Sequence, residues 1–583
     1  MTATGERNAL DPEPIQSRLR ALLDHHPDGP LPDAALRQIR TEATFKRSRP
    51  TQTGTPEERA RQREAERTAA RAELLHLIRT ADPSPKGLRE FSRRVRASAV
   101  SRLRVSEIET AEFGMPASAV RAVAEHLLDT GIIDAEILIG LNLLSLVPRD
   151  GDGERIRIFA PLGRRIEGAA FRVLERIGPA GSHLVWAAER TPAYRRLGAV
   201  QAIRKLPEHE FSKLLCALPV KQSADLVQMF SALDSRPEGF QGDRQFARIL
   251  RDAARPGALG VEPEALALAA QLWDEVRYGR CALLGFAPGE REATAAGFQA
   301  LLASPEASAS VDAALAAEPE DPDLVWLRTQ LNRAGHSDLP LPRGLAVRVS
   351  VPRPNTTAEL RTHLLLDAVP LVEAHFQRGH SDRPETVLHD GRGLEALAEP
   401  REVKIGDTGC VEECCGAFRA VISRRGGLVE WEVRDTGLKD PPTTRFTFDA
   451  DQYDAEVARA TADFDWEWPA RRAARLLRER IEVEPELMSR WHCELAWTAS
   501  WSPDRSAMYY SFYYPKRPSG DDAYVQFSAE CEVPYVPVLD DAAVTAVVDR
   551  IIADLRATDP KSTARLSGGS KEYAEALGLP WPP

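Results

Sequence analysis

Three of the seven cysteines in this 583-residue chain, Cys410, Cys414 and Cys415, lie within six consecutive positions. Cysteine thiolates bind zinc, and a C-x-x-x-C spacing allows two of them to hold one ion. One alternative is therefore a zinc site formed by Cys410 and Cys415 together with Cys493 or His492. Adjacent residues of an extended segment point to opposite faces, so only one of Cys414 and Cys415 can join such a site. Because no second C-x-x-C half accompanies the cluster, we predict small buried thiols with no metal, redox role or cofactor.

A second pattern that could support chemistry is Asp390 followed by Glu402-Val403-Lys404. It is similar to the spacing in restriction-type nucleases, in which two carboxylates hold a divalent ion and a lysine orients water or stabilises charge. The alternative function is thus a metal-dependent nuclease-like enzyme centred on Asp390, Glu402 and Lys404. These residue types are common and the spacing is loose, so the preferred interpretation is exposed charge on an edge strand, with no catalytic residues. The chain contains no G-x-S-x-G and no Walker sequence.

Aromatic residues are dense between Trp491 and Tyr514, in a chain that is only 7% aromatic. Strand alternation predicts that Tyr510, Phe512 and Tyr514 share one face. It places Tyr509, Ser511 and Tyr513 on the other face. Packing under a C-terminal helix is the preferred interpretation, and a binding surface formed by the remaining aromatic face is the alternative.

The composition, with 43% hydrophobic and 28% charged residues, is that of a globular protein with more than one domain. The net charge of −11 argues against a chain that coats nucleic acid along its whole length. The N-terminal stretch 1–30 lacks an apolar segment after a basic start, and the odd number of cysteines indicates reduced thiols, so we expect a cytoplasmic protein. The longest apolar run, Ile132–Val147, contains acidic residues and predicts a buried helix, with no membrane contact.

Charge is unevenly distributed along the chain. The stretch 37–104 carries 18 Lys/Arg and 8 Asp/Glu, a net charge of +10. Aromatic residues are nearly absent there, so a solvated helical arm is favoured over a nucleic-acid contact. Any nucleic-acid binding is expected to be weak and to depend on this basic arm.

Three regions follow from the periodicity. Residues 1–85 are predicted to form a charged, partly disordered arm with a linker helix. Residues 86–338 consist of short helical segments separated by Pro and Gly, which predicts a mainly α N-terminal part built as a HEAT-like α-solenoid. Residues 340–583 combine alternating strands with helices, which predicts a C-terminal α+β domain with an antiparallel sheet. In it, strands 418–423 and 428–434 form a hairpin around Arg424-Arg425-Gly426-Gly427.

Both halves resemble uncharacterised actinobacterial proteins with HEAT-like repeats and a C-terminal α+β domain. The C-terminal motifs that carry the resemblance are Arg401-Glu402-Val403-Lys404-Ile405-Gly406, Cys414-Cys415-Gly416-Ala417 and Trp466-Glu467-Trp468-Pro469-Ala470-Arg471. In the helical part they are Leu184-Val185-Trp186 and Ala199-Val200-Gln201-Ala202. The resemblance covers roughly residues 90–560 and implies the two-part organisation without implying an activity.

We therefore predict a non-catalytic protein-interaction scaffold that binds a protein partner through its helical-repeat surface. Stacked helix pairs form extended curved surfaces, and such surfaces usually bind polypeptide.

Overall fold

The computed structural model describes most of the chain, with gaps. The described residues are 13–43, 56–97, 116–178, 180–192, 197–231, 242–336, 343–354, 356, 358–377, 379–389, 391–409, 415–502, 504–515, 523–535 and 541–581. They belong to two compact units, Met1–Leu218 and Pro219–Pro583. None of the helices in these ranges is both long and apolar enough to cross a membrane.

The described part of the first unit is helical. Its helices are α1 (Ile15–His25), α2 (Asp33–Ala43), α3 (Pro56–Arg79), α4 (Pro85–Ala97), α5 (Ala117–Thr130), α6 (Asp134–Leu144), α7 (Gly153–Arg157), α8 (Arg164–Leu174), α9 (Ala180–Arg190), α10 (Leu197–Arg204) and α11 (Glu208–Ala217). A helical N-terminal part is therefore confirmed, and the regular repeat of a solenoid stays a prediction.

Helix α6 is the centre of this unit and confirms the predicted buried helix. Every residue from Ala135 to Leu144 is buried, as expected for a helix that is apolar on all sides. The one carboxylate among them, Glu136, is inaccessible to solvent, and its Oε1 lies 2.9 Å from Nε of Arg96 on α4. Its other oxygen accepts the backbone N–H of Ile132 at 2.9 Å, so the buried charge is paired and hydrogen-bonded.

In the described residues, the second unit begins with six helices and continues with strands. The helices are α12 (Val220–Ser231), α13 (Arg244–Ala253), α14 (Pro263–Arg277), α15 (Glu290–Leu302), α16 (Pro305–Ala317) and α17 (Pro322–His336). The strands are β1 (Leu345–Ser350), β2 (Arg361–Leu366), β3 (Val369–Pro370), β4 (His380–Ser381), β5 (Arg401–Asp407), β6 (Phe418–Arg425), β7 (Leu428–Asp435), β8 (Thr444–Asp449), β9 (Glu494–Trp501), β10 (Asp504–Tyr514), β11 (Val525–Glu532) and β12 (Arg565–Gly569). Between and after them lie α18 (Leu371–His375), α19 (Ala450–Ala462), α20 (Pro469–Val483), α21 (Glu486–Ser489), α22 (Asp541–Ala557) and α23 (Lys571–Ala576).

All three sheets are antiparallel, in the orders β1-β2-β3, β4-β5-β6-β7-β8 and β12-β11-β10-β9. This confirms an antiparallel sheet region in the C-terminal part. The predicted hairpin is present, since β6 pairs with β7 from Phe418↔Asp435 to Arg425↔Leu428. Alternation buries Val429, Trp431 and Val433 on one face of β7, because a strand in a sheet covered on one side buries every second residue.

The compact units separate at Leu218 and Pro219, whereas the pattern predicted a boundary near residue 340. Helices α14 and α17 pack with the segment around β1. The Trp326 indole donates to the Val351 carbonyl at 3.0 Å, and the Arg353 guanidinium lies 2.8 Å from Glu264 and 2.9 Å from Asp323. A change from helical to strand periodicity therefore does not coincide with the edge of a compact unit. Independent folding of residues 340–583 stays a prediction.

Candidate binding groove and the predicted site residues

The cysteine cluster is only partly described, since Cys410 and Cys414 lie outside the described residues. Cys415 lies just ahead of β6 in the five-stranded sheet and is exposed, so the prediction of buried thiols is wrong at this position. Cys493 is buried in a different core, formed by α20, α22 and the four-stranded sheet. Burial raises the pKa of the Cys493 thiol to about 11, even though the Lys561 ammonium nearby acts in the opposite direction. A thiol with that pKa is protonated at neutral pH, which is the form of a structural cysteine.

Glu402 and Lys404 share one face of β5, as expected for residues two apart on a strand. Each has charged partners. The Glu402 carboxylate lies 3.3 Å from Arg419 and 2.6 Å from Arg434 on the two following strands, so it takes part in cross-strand ion pairs. Asp390 lies outside the described residues, and the nuclease-like site stays a prediction.

Lys404 has a carboxylate partner that the sequence pattern missed. Its ammonium lies 3.2 Å from Asp382, which is 5% exposed, and 2.5 Å from Asp407. Burial alone raises the pKa of Asp407, but the hydrogen bonds from Lys404 and from the Gly409 N–H outweigh it and lower the pKa. Asp382 directly follows β4, and its N–H donates to Ile405, so the pairing of β4 with β5 brings it to Lys404. In the described ranges, no three His, Cys, Asp or Glu side chains are grouped closely enough to hold a metal ion.

The four-stranded sheet shows the aromatic alternation expected from the sequence. Tyr510 and Phe512 are buried against α20 and α22, and Phe512 stacks on Phe527 with ring centroids 5.4 Å apart. Tyr509 and Tyr513 are half-buried on the opposite face. The core-packing interpretation therefore holds for one face, and the other face keeps accessible aromatic surface.

A groove of about 880 Å³ opens beside this sheet. It forms because β12 pairs only with residues 525–528 of β11, whereas β10 pairs with β11 as far as Glu532. In the described residues, the β12 side of β11 is thus unpaired from Ala529 onward, and residues of α22 line the groove there. Lining residues come from β10, β11, β12, α22 and the segment between α22 and β12: Tyr509, Tyr510, Ser528, Ala529, Glu530, Cys531, Ile551, Asp554, Leu555, Thr558, Pro560, Thr563, Arg565, Leu566 and Ser567.

Two tryptophans extend the groove across the sheet surface. Trp497 and Trp501 on β9 are 36% and 39% exposed, and their rings meet edge to face at 5.4 Å. Trp501 also meets Tyr509 edge to face at 5.6 Å, and Tyr509 lines the groove. The aromatic surface and the groove are therefore continuous through Tyr509. Large exposed apolar side chains grouped beside a concave surface are typical of a binding site.

The groove carries more negative than positive charge. Glu530 and Asp554 line it, with Arg565 as the cation. Burial and the charge of Glu530 both raise the pKa of Tyr509, and Asp504 adds to this effect. Burial, Asp554 and Glu530 raise the pKa of Cys531, against the opposing effect of Arg550. Both groups stay neutral at physiological pH, so the charge of the groove lining comes from Glu530, Asp554 and Arg565.

The chain was compared with known proteins by sequence and by structure. No protein-family model, no curated protein and no solved structure matches it.

Proposed function

We propose that this protein binds polypeptides and that the groove beside the four-stranded sheet is the binding site. The observation that supports the proposal is the continuity of Trp497, Trp501 and Tyr509 with a groove of about 880 Å³. Aromatic residues are enriched at the centres of protein interfaces, where they supply large contact area at a small entropic cost. The proposal keeps the predicted interaction function and moves its centre from the helical surface to the sheet.

The charge of the groove favours a basic ligand. A lysine or arginine side chain on the ligand would lie over the Trp501 ring, where the negative face of the indole attracts a cation. Its neighbours would reach Glu530 and Asp554. A nucleic-acid backbone would meet the same carboxylates and be repelled, so we propose a basic, extended polypeptide segment as the ligand.

Binding of a fluorescein-labelled oligoarginine peptide to the full-length protein, measured by fluorescence anisotropy, tests this proposal. Removing Trp501 by a Trp501→Ala substitution should weaken binding at least about tenfold, which corresponds to about 1.4 kcal/mol. Glu530→Gln should weaken it less and should reduce its dependence on salt, because an exposed charge acts mainly through a screened interaction.

Leu428→Ala provides the matched control. Leu428 is 46% exposed and lies on β7 in the five-stranded sheet, not in the sheet that carries the groove. Its replacement removes exposed apolar surface outside the proposed site and should leave peptide binding unchanged. The proposal fails if Trp501→Ala binds the peptide as tightly as the wild type does. It also fails if an oligoglutamate peptide binds equally well.

A further inference from the structure

A serine, a histidine and a glutamate form a chain of polar contacts beside the small three-stranded sheet. The Ser350 hydroxyl lies 2.9 Å from Nε2 of His363, and Nδ1 of the same ring lies 3.2 Å from Oε1 of Glu373. The Nδ1 contact is a close approach without the alignment of a hydrogen bond. Ser381 donates its hydroxyl to the same Glu373 oxygen at 2.9 Å.

The fold brings these residues together through strand register and one short helix. Ser350 ends β1 opposite Arg361 on β2, and His363 is two residues farther along β2 on the same face. Glu373 lies on α18, which follows β3 and packs against β2. Residues that are 13 and 10 positions apart in sequence thus meet at one point, which no local motif would reveal.

The environment orients the histidine. His363 is 4% exposed and Glu373 is 3% exposed, and the Tyr278 ring lies 6.3 Å from the imidazole. Burial by itself raises the pKa of Glu373, but His363 and the Ser381 hydroxyl lower it to about 2. The carboxylate is therefore ionised at neutral pH. In a neutral imidazole, this carboxylate favours the tautomer with the proton on Nδ1, and Nε2 is then the acceptor for the serine hydroxyl.

We propose that Ser350 is a nucleophile for acyl transfer from carboxylic esters, with His363 as general base and Glu373 as the residue that positions the imidazole. The order of contacts, hydroxyl to Nε2 and Nδ1 to carboxylate, is that of a serine hydrolase triad, which is recognised by geometry and not by sequence position. Ser350 is partly accessible, whereas its two partners are enclosed. That is the distribution required of a nucleophile and its supporting groups.

The reaction proceeds in two balanced steps. In the first, the Ser350 hydroxyl proton passes to Nε2 while Oγ bonds to the ester carbonyl carbon. The C–O bond to the alcohol then breaks, and the leaving oxygen takes the proton from Nε2. In the second, water attacks the acyl-serine by the same route, releasing the carboxylic acid and restoring the serine. No oxidant, reductant or further reactant is needed.

Covalent labelling of the full-length protein with a fluorophosphonate tests the proposal. The reagent forms a stable phosphonyl ester only with an activated serine, and peptide mass spectrometry locates it. We expect modification at Ser350 in the wild type and no modification of that peptide in Ser350→Ala. Ser506→Ala should label normally, because Ser506 is an exposed serine whose hydroxyl donates to the Asp504 carboxylate at 2.7 Å and has no histidine beside it in the described hydrogen bonds. Folded wild-type protein with no modification at Ser350 overturns the proposal.

Two substitutions of Glu373, one that removes its negative charge and one that keeps it, test whether this carboxylate positions His363. Glu373→Gln should slow labelling by at least about tenfold, and Glu373→Asp should recover part of the rate, because it restores the carboxylate. Circular dichroism confirms that the variants are folded under the labelling conditions. If Glu373→Asp and Glu373→Gln label at the same rate, the carboxylate has no role in activating Ser350 and the proposed triad is wrong.

The Ser350→Cys variant provides a second test of activation by His363, and this test does not depend on the size of an ester substrate. A thiol paired with His363 should be alkylated by iodoacetamide faster than in Ser350→Cys/His363→Gln, because the imidazole stabilises the thiolate. Equal alkylation rates in the two variants would contradict activation by His363.

Discussion

The buried carboxylate of Glu373 should contribute to stability in a way that depends on pH. Glu373 is 3% exposed, so solvent screening of its charge is small. Burial opposes ionisation, but His363 and Ser381 together lower its pKa to about 2 from the ordinary value of 4.5. Replacing the residue by glutamine keeps the shape of the side chain and removes the charge.

The magnitude follows from the two pKa values. Their difference corresponds to roughly 3 kcal/mol at neutral pH, since one pH unit is worth about 1.36 kcal/mol. Because the pKa in the folded state lies below the value in the unfolded state, this contribution is complete above pH of about 4.5. It is lost as the pH falls through about 2. At pH 3 roughly 1.5 kcal/mol of it should remain.

Urea unfolding of the wild type and Glu373→Gln, at pH 7 and at pH 3, measures the effect. The free energy of unfolding should be lower in the variant by about 3 kcal/mol at pH 7, and the gap should narrow by about half at pH 3. Glu482→Gln is the control, because Glu482 is exposed on α20 and its replacement should change the free energy of unfolding little at either pH. Equal stability of the wild type and Glu373→Gln at pH 7, or a gap that stays constant with pH, would refute the reasoning.

Iodoacetamide at neutral pH should alkylate the exposed Cys415 well before the buried Cys493, whose pKa is about 11. Peptide mapping that shows the reverse order would contradict the burial of Cys493. A fragment of residues 219–583 should unfold cooperatively and be more stable than a fragment of residues 340–583, because the shorter fragment lacks the helices that bind the segment around β1. Equal urea midpoints for the two fragments would show that these contacts do not stabilise the fold. Tyr453→Phe should lower the free energy of unfolding by about 1–3 kcal/mol. The Tyr453 hydroxyl donates to the Leu394 carbonyl at 2.5 Å and accepts from the Trp431 indole at 3.2 Å, and the substitution removes both hydrogen bonds. Urea unfolding that shows no loss of stability would contradict a stabilising role for this buried hydroxyl. Purified protein should contain less than one zinc ion per chain, and a chelator should leave the melting temperature unchanged; near-equimolar zinc by elemental analysis would establish the cysteine site instead.

The spacing of apolar residues along single helices and strands correctly predicted which of their side chains share a buried face. Helix α6 is apolar on all sides and is buried on all sides, and strand β7 alternates and is buried on one face. The alternation of β10 was predicted in the same way, and the structure shows that the face with Tyr510 and Phe512 is the inner one. These predictions succeed because side-chain direction follows from a period of 3.6 or 2 residues along one element.

The candidate sites were less predictable. Three cysteines lie within six positions of the sequence, yet Cys415 and its suggested partner Cys493 belong to different parts of the fold. The sequence pattern did not indicate that Asp382 lies near Lys404, which results from the pairing of β4 with β5. Loose spacing between common residue types does not determine which of them meet.

By itself, the sequence determined the class of each region, helical before about residue 340 and mixed antiparallel after it, and the inner faces of the strongly periodic elements. Only the tertiary structure decided where the compact units divide and how the short pairing of β12 with β11 leaves a groove near Trp501. It also decided that Ser350, His363 and Glu373 contact one another in a chain. The physical reason is that periodicity records whether a side chain is buried. The neighbour it meets is set by strand register and helix docking, which depend on contacts between segments distant in sequence.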